Sequence, residues 1–288
     1  RQDYARLVGE NAPASKAVIH RLKRMTDEYL LRELATQGYL PAYGFPAHIA
    51  AFDNLTVDRF KARIAANTHG RDDNRYRRRD LASRDLATAL REYAPGAEVV
   101  MDGLVYRSAG ITLNWHIPAD AEQAHESQEI RHAWRCRRCG ASGSSLSLGM
   151  TARCYYCNEE INKSDMLEFL VPAGFAVDFY SKPDNDVSTQ QFIPVEAPWI
   201  NAQGEWIPLS NPALGRFRLS TEGHVFHHSR GLHGNGYAVC LACGRAEPMS
   251  AKGERPRVFE HHHKKLRRAS EEEKFCPGDT WMIKEGIV

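Results

Sequence analysis

Six of the seven cysteines in this chain fall into three C-x-x-C pairs: Cys136 with Cys139, Cys154 with Cys157, and Cys240 with Cys243. Two thiols separated by two residues sit on one tight turn and point at a common centre. That arrangement suits metal chelation far better than a disulfide framework. The pattern predicts thiols kept reduced, so a reducing cytoplasm is the expected compartment. It also predicts small modules whose folding is completed by metal.

The first cluster reads C-x2-C-x14-C-x2-C from Cys136 to Cys157. Two such pairs can meet as a tetrahedron around Zn²⁺, which accepts four soft sulfur ligands. Gly140 and Asn158 follow the second cysteine of each pair. Both residue types accept the positive φ that a metal-binding turn imposes. The alternatives are four free buried cysteines or an iron–sulfur cluster. A four-thiolate site leaves no open coordination position, so catalysis by this metal is not expected.

The second cluster is Cys240, Cys243 and the remaining cysteine, Cys276, with His261, His262 and His263 between them in sequence. A Cys₃His zinc site completed by His263, or failing that by His262, is the reading taken. If the histidine run is a solvated turn, Asp279 or a water is the fourth ligand. A water-bearing site would reopen the possibility of catalysis. In all, about two Zn²⁺ per chain are expected.

The chain has 288 residues, of which 42% are hydrophobic, enough for a sizeable core. It contains no run of eighteen apolar residues and no signal-peptide pattern, so no membrane partner is expected. It opens on Arg1 and reads as a segment of a longer protein. Net charge is only +2, but arginine is clustered. One run holds Arg75, Arg77, Arg78 and Arg79; another holds Arg135, Arg137 and Arg138 beside Trp134. Such runs are either solvated faces, charge partners of a dianionic zinc–thiolate centre, or contacts to nucleic-acid phosphate. Trp134, Tyr155 and Tyr156 either cover the zinc module or stack on unpaired bases.

Helices are expected over Ser15 to Gln37, Thr56 to Ala66 and Ser83 to Tyr93, from apolar residues recurring every three or four positions. Asp102-Gly103 between Glu98–Met101 and Leu104–Arg107 marks a two-residue hairpin. Alternation at Ile111, Leu113, Trp115 and Ile117 predicts a further strand. Leu167 to Tyr180 reads as strand broken at Pro172-Ala173-Gly174, and Phe217 to Phe226 and Gly236 to Leu241 as short strands. Asn67 to Asp80 and Asp178 to Gln190 read as loops. The fold class is α+β: N-terminal helices, then a mainly antiparallel β zinc-binding domain with an inserted zinc ribbon. The expected divisions are a helical connector at 1–40, a helix-plus-hairpin part at 41–130, the ribbon at 131–165 and a C-terminal β part at 166–288.

No G-x-x-x-x-G-K-[ST], H-x-K-x4-D, H-E-x-x-H or G-x-S-x-G motif is present. The segment is therefore expected to have no enzymatic activity of its own.

Four stretches in order carry a family likeness: LPAYGFP (Leu40 to Pro46), REYAPGAEVVMDGLVYRSAGI (Arg91 to Ile111), VPAGFAVDF (Val171 to Phe179) and GNGYAVCLACGRA (Gly234 to Ala246). Together they resemble the MrfA-type zinc-binding domain, which lies C-terminal to the motor in many bacterial superfamily 2 helicases. That domain also occurs in DrmB, a component of the DISARM antiphage system. The family's metal-binding cysteines match Cys240, Cys243 and Cys276, and the segment from His263 resembles its histidine-containing stretch. The Cys136–Cys157 ribbon resembles an insertion found in only some relatives.

The resemblance implies an accessory DNA-handling role beside an ATP-driven helicase, in the same chain or a separate one, in antiviral defence or DNA repair. The DNA partner is expected to have single-stranded character. The competing readings are a protein-interaction scaffold whose basic runs are solvated, and a metal-dependent hydrolase using His224, His227, His228, His233 and His261 to His263.

Overall fold

A computed structural model describes residues 34, 49–66, 81–113, 130–145, 153–162, 165–202, 204–221, 223–267, 274–276 and 283–286. The expected Ser15–Gln37 helix, apart from helical Leu34, and the expected Asn67–Asp80 loop lie outside these residues, as do Arg75, Arg77, Arg78 and Arg79.

The first sheet begins with the expected hairpin. Strand β3 (Glu98–Met101) pairs antiparallel with β4 (Leu104–Thr112), and Met101 faces Leu104 across the turn. Asp102 and Gly103 have φ of 53° and 74°, the paired positive values of a type I′ turn. Strand β1 (Ile49–Asp53), β2 (Ala82–Asp85) and β8 (Gly174–Val177) complete a sheet ordered β2-β1-β8-β4-β3. Only β1 and β8 run parallel among these pairs. Strands on both sides of the 131–165 stretch thus share one sheet. Its core holds Phe52, Tyr93, Tyr106, Ile111, Phe175 and Tyr237, all essentially excluded from water.

Two expectations are corrected here. The helix expected from Ser83 begins at Leu86: α2 spans Leu86–Glu92, because Ala82–Asp85 pairs with β1 instead. Asp85 then caps α2, its carboxylate accepting from the Ala87 amide at 3.0 Å. The separate strand expected from Ile111 does not begin there; β4 runs on through an irregularity between Ser108 and Gly110 to Thr112. Trp115 and Ile117 lie outside the described residues. The Thr56–Ala66 helix is present as α1 (Val57–Ala66), with Phe60 set edge-on to Phe179.

A second sheet, ordered β14-β13-β15, is built from β13 (Tyr237–Cys240), β14 (Ala246–Pro248) and β15 (Ile283–Gly286). A third, ordered β6-β5-β7, uses β5 (Arg131–Arg135), β6 (Ser142–Ser145) and β7 (Met166–Phe169). The strand break expected at Pro172-Ala173-Gly174 lies between β7 and β8, with Gly174 itself the first residue of β8. Among the described residues, no helix is long and apolar enough to cross a membrane.

The remaining feature is a long antiparallel arm. Strand β9 (Trp199–Asn201) pairs with β12 (His224–Phe226), and β10 (Ile207–Pro208) with β11 (Arg216–Phe217). A 3₁₀ turn at Pro212–Leu214, capped by the Asn211 side chain, forms the tip.

Candidate metal centres and the adjoining arm

Each C-x-x-C pair occupies the same backbone turn. Gly140 N donates to Cys136 O at 2.9 Å, Asn158 N to Cys154 O at 2.8 Å, and Gly244 N to Cys240 O at 2.8 Å. The residues closing these turns, Gly140, Asn158 and Gly244, have φ of 75°, 56° and 81°. This is the left-handed region in which glycine and asparagine cost least.

Two knuckles meet to form the first centre. Sγ of Cys136 lies 3.5 Å from Sγ of Cys157, and Sγ of Cys139 lies 3.5 Å from Sγ of Cys154. The second centre joins the third knuckle to a short bridge that pairs Lys264 with Phe275. There Cys276 N donates to His263 O at 2.8 Å, which brings two residues distant in sequence side by side. Cys240 Sγ is 3.7 Å from Cys276 Sγ, and Cys243 Sγ is 3.3 Å from His263 Nε2. Of the histidine run, only His263 is buried (5% exposed), edge-on to Phe259. His261 and His262 are exposed, and Asp279 lies outside the described residues.

These distances fit a metal. In a tetrahedral site with ligands at about 2.3 Å for sulfur and 2.05 Å for nitrogen, neighbouring sulfurs stand about 3.8 Å apart, and sulfur and nitrogen about 3.5 Å. A disulfide would need about 2.05 Å. Within each group all four donor atoms lie within 4.8 Å of one another. Each set supplies four protein donors, the number a tetrahedral ion takes, and among the described residues no further ligand joins either group.

The electrostatics show how crowded the donors are. Burial opposes ionisation of Cys136, yet the amides of Cys139 and Arg138 together with the thiols of Cys157 and Cys139 pull its pKa down to about 7. Burial and the thiols of Cys154 and Cys157 push Cys139 up to about 12. In the second centre the thiols of Cys243 and Cys276 drive Cys240 upward, while Cys243 is held well below its usual value by Cys240, Cys276 and His263. His263 is raised to about 9: burial opposes this, but its contacts with Cys243 and Cys276 prevail. Without a cation among them, such closely spaced thiols share protons rather than all ionising.

The second centre is fastened to the first sheet. Ile111 N donates to Gly244 O at 2.8 Å. Arg245 is buried, donating to Lys264 O at 2.8 Å and pairing with Asp178 at 3.0 Å. Arg267 pairs with Asp53 at 3.0 Å. Cys240, Cys243 and Cys276 share a core cluster with Ala109 and Ala176 of the first sheet. The first centre instead has a core of its own, made of Trp134, Cys136, Ala141, Cys154 and Ile161.

The sequence-nominated DNA contacts on the ribbon take specific places. Trp134 is 7% exposed and set edge-on to Tyr155, so it covers the metal centre and does not offer its face to a base. Arg137 pairs with Asp165, and Arg138 with Glu159 at 3.1 Å. Arg135, Arg137 and Arg138 line one groove of about 460 Å³ together with Glu159, Glu160 and Asp165. Three carboxylates there balance three guanidiniums. Tyr155 and Tyr156, in the second knuckle, are exposed.

A group that the sequence reading did not single out lies next to them. Arg216 sits 4.5 Å and Arg218 4.6 Å above the Trp206 ring, and Arg218 also lies 5.2 Å over Tyr156. Tyr156 Oη donates to Gly204 O at the base of the arm. The R-x-R spacing that starts on β11 and runs one residue past it, across from a tryptophan, is the sequence signal that marks this cluster.

The histidines of the hydrolase reading do not converge. His228 is buried against Trp199 and Phe226, while His224, His227 and His233 are exposed. Among the described residues, only the two centres above bring three or more potential ligands together.

The fold and its sites thus define a mainly antiparallel β module with two four-donor groups able to hold metal ions. The chain is similar to the Druantia protein DruE of Escherichia coli (strain UMEA 4076-1), with 33% identity over 91 residues. The match covers 32% of this chain and 4% of that protein, so the chain spans a small part of its relative's length. No family model matches the chain, and no solved structure does.

Proposed function

We propose that the chain is a zinc-binding, DNA-contacting accessory module that works beside an ATP-dependent superfamily 2 helicase, in cis or in trans, in antiphage defence or DNA repair. The observation that carries this reading is the pair of complete four-donor centres, one of Cys₄ and one of Cys₃His composition. The donor types and tetrahedral spacing suit Zn²⁺, which in closed sites stabilises structure and does no chemistry. The MrfA-type resemblance fits either defence or repair, and the likeness to DruE favours a defence setting. In this role the module itself hydrolyses neither ATP nor nucleic acid.

The test has two parts. Elemental analysis of the purified chain should return two zinc per molecule, and iron in quantity would replace this reading with a cluster protein. DNA affinity should then fall steeply with salt, because phosphate contacts release counterions. Charge reversal at Arg77, Arg78 and Arg79 should flatten that dependence. A chain that holds zinc but shows no salt-dependent DNA binding at any ionic strength would leave only the scaffold reading.

One observation favours that second reading. The β10–β11 register places Ile207 opposite Phe217 on one face of the arm, with Leu209 and Leu219 in alternate positions, and all four are exposed. An apolar face of this kind is a surface for a protein neighbour.

A further inference from the structure

We infer that the other face of the arm is a single-strand nucleic-acid site, in which Trp206 supplies a stacking surface and Arg216 and Arg218 hold the phosphates. This inference rests on the DNA-contacting reading above and names where the unpaired strand is held.

The strand register generates the cluster. Because Pro208 pairs with Arg216 and side chains alternate across a strand, Trp206, Pro208, Arg216 and Arg218 share one face. The apolar residues take the other face. Trp206 is 42% exposed, whereas the arm's other tryptophan, Trp199, packs against Phe226 and His228. Two guanidiniums lie on its ring and neither has a carboxylate partner among the described residues. The ribbon arginines, by contrast, share their groove with three acids. Unneutralised arginine beside an exposed indole matches the two needs of an unpaired strand. Phosphate takes charge, and a base takes a flat π surface whatever its sequence. A guanidinium lying on an indole also presents its own outer plane to a base.

The first metal centre places this site. Tyr155 and Tyr156 stand between Cys154 and Cys157, so a metal held by the four thiols would fix their backbone. Tyr156 is then tied to Gly204 at the arm's base and lies under Arg218. Asn201 of β9 donates to Ser142 O at 3.0 Å, joining the arm to β6 of the ribbon. The four-cysteine centre therefore acts as the mount that sets the spacing between Tyr156, Arg218 and Trp206. This gives the inserted ribbon a task beyond its own stability.

The experiment measures binding of the 288-residue chain to a fluorescent oligothymidine and to a duplex of equal length, across a salt series. Trp206→Ala should weaken oligothymidine binding roughly tenfold, the scale of one lost base stack, with a smaller effect on duplex. Trp206→Tyr should restore most of it. Arg216→Glu with Arg218→Glu should reduce the single-strand salt slope by about 1.4, or about 0.7 per phosphate contact. Arg135→Glu with Arg137→Glu and Arg138→Glu should change the slope less. Two zinc per chain must be retained in every variant, which separates lost contacts from lost folding.

If the arm variants bind as the parent does while the ribbon or Arg77–Arg79 reversals weaken binding, the arm site is overturned and the DNA-contacting reading stands. If the parent binds neither oligothymidine nor duplex, both fall. If arm variants lower single-strand and duplex affinity equally, Trp206 does not stack and the site is overturned as a single-strand reader. Loss of association with a protein partner, with DNA binding intact, would likewise overturn it in favour of an acidic protein surface.

Discussion

Gly110 of β4 and Gly244 of the third knuckle lie back to back, and through them the second metal centre docks on the first sheet. A methyl group on Gly244 would overlap the Ile111 carbonyl oxygen, and one on Gly110 would sit 2.6 Å from Leu266 Cδ2 and 3.0 Å from Arg245 Cα. The contact brings Ile111 N within 2.8 Å of Gly244 O. Two glycines are needed because two backbones meet there with no room for a side chain on either.

Gly244→Ala should therefore destabilise the chain by about 3 kcal/mol, combining the left-handed backbone cost with overpacking. Gly140→Ala has a similar φ but nothing near its Cβ. It should cost only about 1 kcal/mol. Urea unfolding of the two zinc-loaded variants gives the comparison. Equal losses would show that the Gly110–Gly244 contact is not tight in solution.

The two metal centres should fail differently. Cys136→Ser should lower zinc from two ions to one while the first sheet stays folded, because the ribbon has a separate core. Cys240→Ser should unfold much more, because its cluster includes Ala109 and Ala176 of the first sheet. Zinc content with near-ultraviolet circular dichroism distinguishes a local from a global loss.

Metal uptake should release protons and strengthen as pH rises from 6 to 8. In the metal-free centres Cys139 and His263 hold their protons to about 12 and 9, and Cys240 is raised as well. Coordination requires all three to be deprotonated. The loaded native state then binds fewer protons than the unfolded chain, whose thiols have pKa values near 8.5, so stability rises with pH in this window and falls on acidification. Chelator competition at several pH values, with proton release followed by an indicator dye, measures both.

Arg245→Met should cost about 3 kcal/mol, since it strips a buried partner from Asp178 and from the Lys264 carbonyl while leaving the metal donors in place. Thermal unfolding with zinc content checks it. A variant that loses zinc and no stability would assign Arg245 to the metal centre instead.

The sequence alone determined what is local. Cysteine spacing marked the thiols that converge as candidate metal donors, Asp102-Gly103 marked the type I′ turn, and Gly140 and Asn158 marked the positive φ of the knuckles. Each of these depends on a few neighbouring residues and on backbone sterics. Tertiary structure decided what depends on distant partners. Pairing of Ala82–Asp85 with β1 shortened the helix expected there, because strand pairing satisfies backbone groups that a helical turn would otherwise use. The Lys264–Phe275 bridge selected His263 over its neighbours by carrying it inward beside Cys276. The fold also set Glu159, Glu160 and Asp165 among the ribbon arginines and, among the described residues, gave Arg216 and Arg218 no carboxylate partner. Charge balance at a surface is a sum over residues far apart in sequence, so only the folded chain shows where positive charge remains uncompensated.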